Sequence, residues 1–361
     1  MQQRIPTLDS LRGLAALLVV FHHAFSHFPN CFPQPPGHTG NLLQIISELN
    51  VAAVLFFFFL SGYSIDLSLK GNSPTQPTTA NQYFYRRFRR IIPLYLLTLL
   101  ITMAGGLITQ HWNQLPDYSI KQLIGNLAFL QCSASYKGNW FLPYGENGPL
   151  WSLSFEMWYY LSLPLILWLF EKKLRLQSDS NAALMLVLVI SLLAALVNKL
   201  IFIPWIAFAS LYVVWFAGYR TALKLKNEPN KHSNLFWMLG ITSVVALLDY
   251  NVSSATIHKL FIGLLLGSIF SVINLLHQLK PRWLHYPQKI LNTIFQTTGR
   301  GSYALYLLHF PVLMVLKHLN PNSPILLFGV LTLVLFSSVY LENWFVRQPF
   351  QIFHRTYIPE K

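Results

Sequence analysis

Apolar runs of about 20 residues, separated by short polar or basic segments, recur along the whole chain. Each is long enough to cross a bilayer as a helix. The pattern predicts ten spans, at 11–29, 45–68, 91–110, 150–170, 182–203, 204–222, 234–250, 257–277, 302–318 and 324–346. Residues 120–132 (IKQLIGNLAFLQC) are apolar but too short to span, which predicts an interfacial or re-entrant helix. Within hydrocarbon a helix satisfies its own backbone groups, so the expected fold is an all-α integral membrane bundle. No small-residue cleavage site follows the first run, so it reads as a retained span and not as a removed signal.

Composition agrees. Of 361 residues, 53% are hydrophobic and 11% charged, against about 25% charged in soluble globular domains. One membrane domain over 1–350 and a short tail, 351–361, account for the chain. With a cytoplasmic N-terminus, only Lys121, Lys137, Lys199, Lys259 and Lys317 fall outside, and the other 21 of the 26 Lys and Arg fall inside. That positive-inside bias places both termini in the cytoplasm. The net charge of +14 would suggest nucleic acid in a soluble protein. Here the cations lie between spans, no nucleic-acid-binding motif interrupts them, and the bilayer surface is the simpler partner. Cys31 and Cys132 lack metal-ligand spacing, and no metal site is expected. Both face outward, where a disulfide and two free apolar thiols are both open.

Chemistry is concentrated at a few polar positions inside apolar runs. Arg12 and His23 are eleven residues apart in RIPTLDSLRGLAALLVVFHHAFSH. On a helix they share a face, about 16 Å apart. They read either as an inner-surface cation and an intramembrane imidazole of one site, or as a basic flank and a helix-packing histidine. Ser61-Gly62 interrupts the bulky run FFFFLSGYSI, as close helix packing or as a pocket wall. Arg86, Arg87, Arg89 and Arg90 cluster at the inner surface, with 86, 89 and 90 able to share a face, as lipid anchors or as a polyphosphate grip. Glu156, in PLWSLSFEMWYYL, lies about 10 Å below the outer end of its span, and His23 about 9 Å below that of its own. The matching depth predicts a carboxylate–imidazole pair, with mid-span His309 as a third member or a structural histidine. Such a group suits general base catalysis on a hydroxyl. The outer run GNWFLPYGENGPLW reads as an aromatic belt or a sugar-facing acceptor site.

These segments, in this order, resemble acyltransferase family 3, integral-membrane O-acyltransferases mainly of bacteria. The likeness rests on TLDSLRGLAALLVVFHHA, FFFFLSGYSI, RRFRRIIPLY, PLWSLSFEMWYYL and GRGSYALYLLHFPV, and covers about Ile5 to Phe350. The specific element is Arg, ten residues, then His, which falls on Arg12 and His23, with His22 out of register. The resemblance implies transfer of an acyl group, often acetyl, from cytoplasmic acyl-CoA to a carbohydrate hydroxyl of a surface polysaccharide or glycolipid. His23 would be the base, Glu156 and His309 its helpers, and Arg12 with Arg86, Arg87, Arg89 and Arg90 would hold CoA phosphates. Ser61, Gly62, Trp151, Ser154 and Tyr303 would line the pocket. Acyl-CoA is then a co-substrate, and no cofactor is expected. One departure is the end of the last span, FVRQPF, where Arg347 stands in the place of the expected carboxylate and Glu342 lies five residues earlier. The likeness is to the standalone form, without the hydrolase-like extracytoplasmic domain of many members, so acceptor choice is expected in the spans, the outer loops or a partner. The rival class is a proton-coupled transporter of a polar or acylated solute, with His23, Glu156 and His309 as a relay. It calls for an internal repeat, and none is visible between the halves.

Overall fold

The computed structural model describes residues 6–32, 38–69, 71–110, 116–133, 138–227, 285–319 and 322–347. Among them 84% are helical and none is in a strand. Seven helices are long and apolar enough to cross a membrane, or eight if one bent pair counts as a span. All eight coincide with expected spans. The expected spans 234–250 and 257–277 and the tail 351–361 lie outside the described residues.

Helix α1 is Pro6–His27, α2 His38–Glu48 and α3 Asn50–Leu69, the last two forming one span with a break at Leu49. Helix α4 is Pro77–Ile108. It starts well before the expected residue 91, because the arginine run continues the helix without interruption. Pro77 sits where a missing N–H costs nothing. At about 1.5 Å per residue α4 is roughly 48 Å long, so its basic end extends past the hydrocarbon. The short amphipathic helix α5, Ile120–Leu127, is capped by the Ser119 hydroxyl. It ends five residues before the expected 132, where Phe129 turns to positive φ.

Helix α6, Leu150–Trp168, runs into a π-helical turn that Arg175 closes in the left-handed conformation. Helix α7 is Asn181–Leu200, with Ser180 as cap. Helices α8 (Pro204–Ser210) and α9 (Tyr212–Asn227) meet at 44°. Helix α10, His285–Arg300, was not expected from hydropathy; α11 is Ser302–Leu319 and α12 Pro324–Glu342.

Two contacts fix the bundle. Helices α3 and α9 cross backbone to backbone: a Cβ on Gly62 would lie 2.0 Å from the Trp215 carbonyl oxygen, and one on Gly218 1.9 Å from that of Phe59. Gly62 is therefore a crossing point, as the packing reading had it. Helix α1 packs against α10, α3 and α11, so its polar face looks into the bundle centre. Side chains such as Leu100, Leu165, Leu193 and Phe336 point outward, as lipid-facing positions should. Cys31 and Cys132 are both buried, and no disulfide links them.

Candidate active site

Two cavities lie back to back around the centre of the bundle. The first, about 60 Å³, is lined by Arg12 of α1, Ser61 and Ser64 of α3, Arg87 and Arg90 of α4, Glu156 and Tyr160 of α6, and Tyr303 of α11, among others. The second, about 380 Å³, is lined by His23, Asn50, Asp117, Ser133, Glu146, Trp151 and their neighbours. Val54 and Tyr306 line both and form the wall between them. Tyr306 is held rigidly: its hydroxyl lies 2.7 Å from that of Ser152 and donates to the Pro149 carbonyl at 2.9 Å.

Three carboxylates, Asp9, Glu156 and Glu342, stand in or beside the arginine cavity. Arg12 donates to the Ser64 hydroxyl and lies 3.9 Å from Asp9. Glu156 accepts from Ser61 at 2.6 Å and from Tyr160, and Trp215 donates to Ser61 at 3.2 Å. Arg90 pairs with Glu342 at 3.8 Å. Glu342 also accepts the backbone N–H groups of Tyr303 and Ala304, at 3.1 and 3.3 Å. These are orphan donors at the start of α11, so the acidic group near the last span has a defined place as helix cap and arginine partner. The side chain of Arg347 lies outside the described residues. Arg87 is buried, its Nε has no hydrogen-bond partner among the described residues, and its guanidinium stands 5.8 Å from the Tyr160 ring.

The shared face of the arginine cluster differs from the expected 86, 89 and 90. Arg87 and Arg90, one turn apart, face the cavity. Arg89 lies over the Tyr85 ring at 5.9 Å, and Arg86 is not among the lining residues. Burial of Tyr83, Ile91 and Leu94 sets the rotation of α4, which the arginines alone do not reveal.

At the other cavity His23 meets a histidine and not a carboxylate. Its Nδ1 lies 3.0 Å from Nε2 of His309, whose own Nδ1 lies 2.9 Å from the Leu305 carbonyl oxygen. Phe310 packs edge-on against the His23 ring at 5.0 Å. The expected Glu156–His23 pair is thus corrected: Glu156 turns to the arginine side of the wall. His22, out of register as expected, is bound at 3.0 Å to the carbonyl and hydroxyl of Ser47. Of the remaining pocket residues, Trp151 lines the histidine cavity and Tyr303 the arginine cavity, donating to the Ile91 carbonyl at 3.1 Å. Ser154 lines neither; it is buried and donates to backbone carbonyls of Gln131 and Trp151. Burial lifts the Asp117 carboxyl above its ordinary value, as suits a group set into a cavity wall.

Several lining residues escape sequence reasoning. Ser64 and Tyr160 are one turn from Ser61 and Glu156, a spacing that points to them. Asn50, Asp117, Ser133 and Glu146 come from loops and helix ends, where no periodicity marks a side chain. Among the described residues no group of three His, Cys, Asp or Glu is placed to hold a metal.

A model of the acyltransferase domain matches residues 5–342. The chain belongs to acyltransferase family 3. Curated relatives agree with the family. The chain is 34% identical to acyltransferase MdmB of Streptomyces mycarofaciens over 165 residues, 45% of this chain and 39% of the relative. It is 24% identical to peptidoglycan O-acetyltransferase OatA of Listeria monocytogenes over 363 aligned positions, 88% of this chain and 51% of the relative. It spans about half or less of the length of these family members. No solved structure matches it significantly.

Proposed function

We propose that the chain is a multi-pass O-acyltransferase of a bacterial cytoplasmic membrane, moving an acyl group from acyl-CoA to a carbohydrate hydroxyl with His23 as general base. Acetyl is the group of choice because a relative that matches 88% of this chain is named an O-acetyltransferase. The observation that carries the reading is the pair of cavities with one shared wall: three guanidiniums on one side, an imidazole on the other.

Arg12, Arg87 and Arg90 offer forked donors suited to phosphate oxygens, and among the described residues the Nε of Arg87 has no hydrogen-bond partner. The cavity facing them is now small, so a donor would enter by displacing the carboxylates of Glu156 or Glu342. The histidine cavity, at about 380 Å³, is of ordinary size for a small-molecule site. It presents an aromatic ring from Trp151 beside carboxylate and amide groups, a set that suits a sugar. In the reaction the acceptor oxygen attacks the thioester carbonyl as His23 takes its proton. A C–O bond forms, the C–S bond breaks, and the proton passes from His23 to the departing thiolate.

The transporter reading loses support, because its relay is split. Glu156 bonds to Ser61 and Tyr160, and among the described residues no hydrogen bond joins it to the histidine pair. The test is release of free CoA from radiolabelled acetyl-CoA by protein in nanodiscs. His23→Ala should lower turnover by about 10²-fold or more while donor binding stays. Near-normal turnover in that variant refutes the reading.

A further inference from the structure

We infer that His309 is a positioning residue that locks His23 in one tautomer, with Nδ1 carrying the hydrogen and Nε2 left as the basic nitrogen of the cavity. The inference rests on the reading of His23 as the base.

The chain of reasoning starts at a carbonyl. The Leu305 oxygen can only accept, so the nitrogen facing it at 2.9 Å, Nδ1 of His309, carries a hydrogen. A neutral imidazole has one N–H, so Nε2 of His309 is a lone pair. That lone pair lies 3.0 Å from Nδ1 of His23, which must therefore donate. The hydrogen of neutral His23 is then spent on Nδ1, and Nε2 is free of it. With the opposite tautomer, two lone pairs would face each other at hydrogen-bond distance. A doubly protonated His309 would place a cation deep in the bundle, where it is fully buried and no carboxylate hydrogen-bonds to either ring among the described residues. The rings have little room to escape this arrangement. Phe310 stands edge-on against His23 at 5.0 Å, and Tyr306, itself anchored at Ser152 and Pro149, packs beside His309 at 6.0 Å.

A neutral acceptor behind the base differs from a carboxylate in one chemical respect. A carboxylate would hold the imidazolium as an ion pair once His23 has taken the proton. His309 fixes the ring but supplies no counter-charge, so the proton is readily passed on to the departing thiolate. This also gives a reason for Glu156 to stand on the far side of the wall.

The test is the solid-state ¹⁵N spectrum of ¹⁵N-histidine-labelled protein in lipid, with His23 assigned by difference against His23→Asn. The expected result is a pyrrole-type Nδ1 and a pyridine-type Nε2 for His23. His309→Gln, whose amide oxygen still accepts, should keep that signature. His309→Leu should lose the single tautomer, and should cut CoA release at saturating acetyl-CoA at least about tenfold with the half-saturating donor concentration unchanged. A hydrogen on Nε2 of wild-type His23, or an unaltered signature in His309→Leu, overturns the inference. Turnover in His23→Ala is scored separately: if it persists, the base reading fails, whatever the tautomer.

Discussion

Replacing Arg12 tests the donor side most cleanly, because its contact with a carboxylate is long. Its guanidinium lines the cavity, donates to the Ser64 hydroxyl, and lies 3.9 Å from Asp9. A contact from a guanidinium to a phosphate oxygen contributes about 1.5–3 kcal/mol. Each 1.36 kcal/mol is a factor of ten, so its loss raises the KM for acetyl-CoA by about 10- to 150-fold. The low end is expected, since binding must first break the Ser64 and Asp9 contacts. The assay is release of free thiol in nanodiscs by wild type and Arg12→Ala, with acetyl-CoA and with acetyl-pantetheine, which carries the thioester arm but no phosphate. The penalty should appear with acetyl-CoA and vanish with acetyl-pantetheine. Since the comparison is between two donors on one protein, partial misfolding cancels. An equal penalty on both donors, or none on either, refutes the phosphate grip.

Other substitutions probe the scaffold. Glu342→Ala removes the cap of α11 and the carboxylate partner of Arg90, which should cost about 1–3 kcal/mol; Glu342→Gln, which still accepts the two N–H groups, should lower the thermal midpoint in detergent far less. Gly218→Ala drives a methyl into the Phe59 carbonyl and should destabilise by about 1–3 kcal/mol, and an unchanged midpoint would contradict the backbone contact. Cys31 and Cys132, buried and in no disulfide, should be alkylated only after denaturation, with the same gel mobility with and without reductant.

Much of this site is legible from sequence because a helix converts spacing into direction. Eleven residues put Arg12 and His23 on one face, and the structure opens that face onto both cavities. What spacing cannot reveal is which helix stands opposite. His23 finds a partner 286 positions away, while Glu156 is turned to the arginine cavity by the rotation of α6. The arginine face differs from the expected one for a similar reason, since the burial of Tyr83 and Leu94 and not the charges orients α4. Glu342 illustrates the converse: a carboxylate out of place in the chain lies where the first turn of α11 and Arg90 both need an acceptor. Helix α10 carries too little hydropathy to be seen as a span, and its tight contact with α1 is made through glycines, which leave no periodic signal.

The wall formed by Val54 and Tyr306 has an electrical consequence. On the proposed reaction the charges of CoA stay on the arginine side, and what passes the wall is a neutral acyl group. A membrane potential does about 2.3 kcal/mol of work per 100 mV on each unit charge that crosses it, and none on an acyl carbon. A cell could then modify its surface at a rate indifferent to how strongly its membrane is energised, with only the single proton lifted by His23 moving through any part of the field.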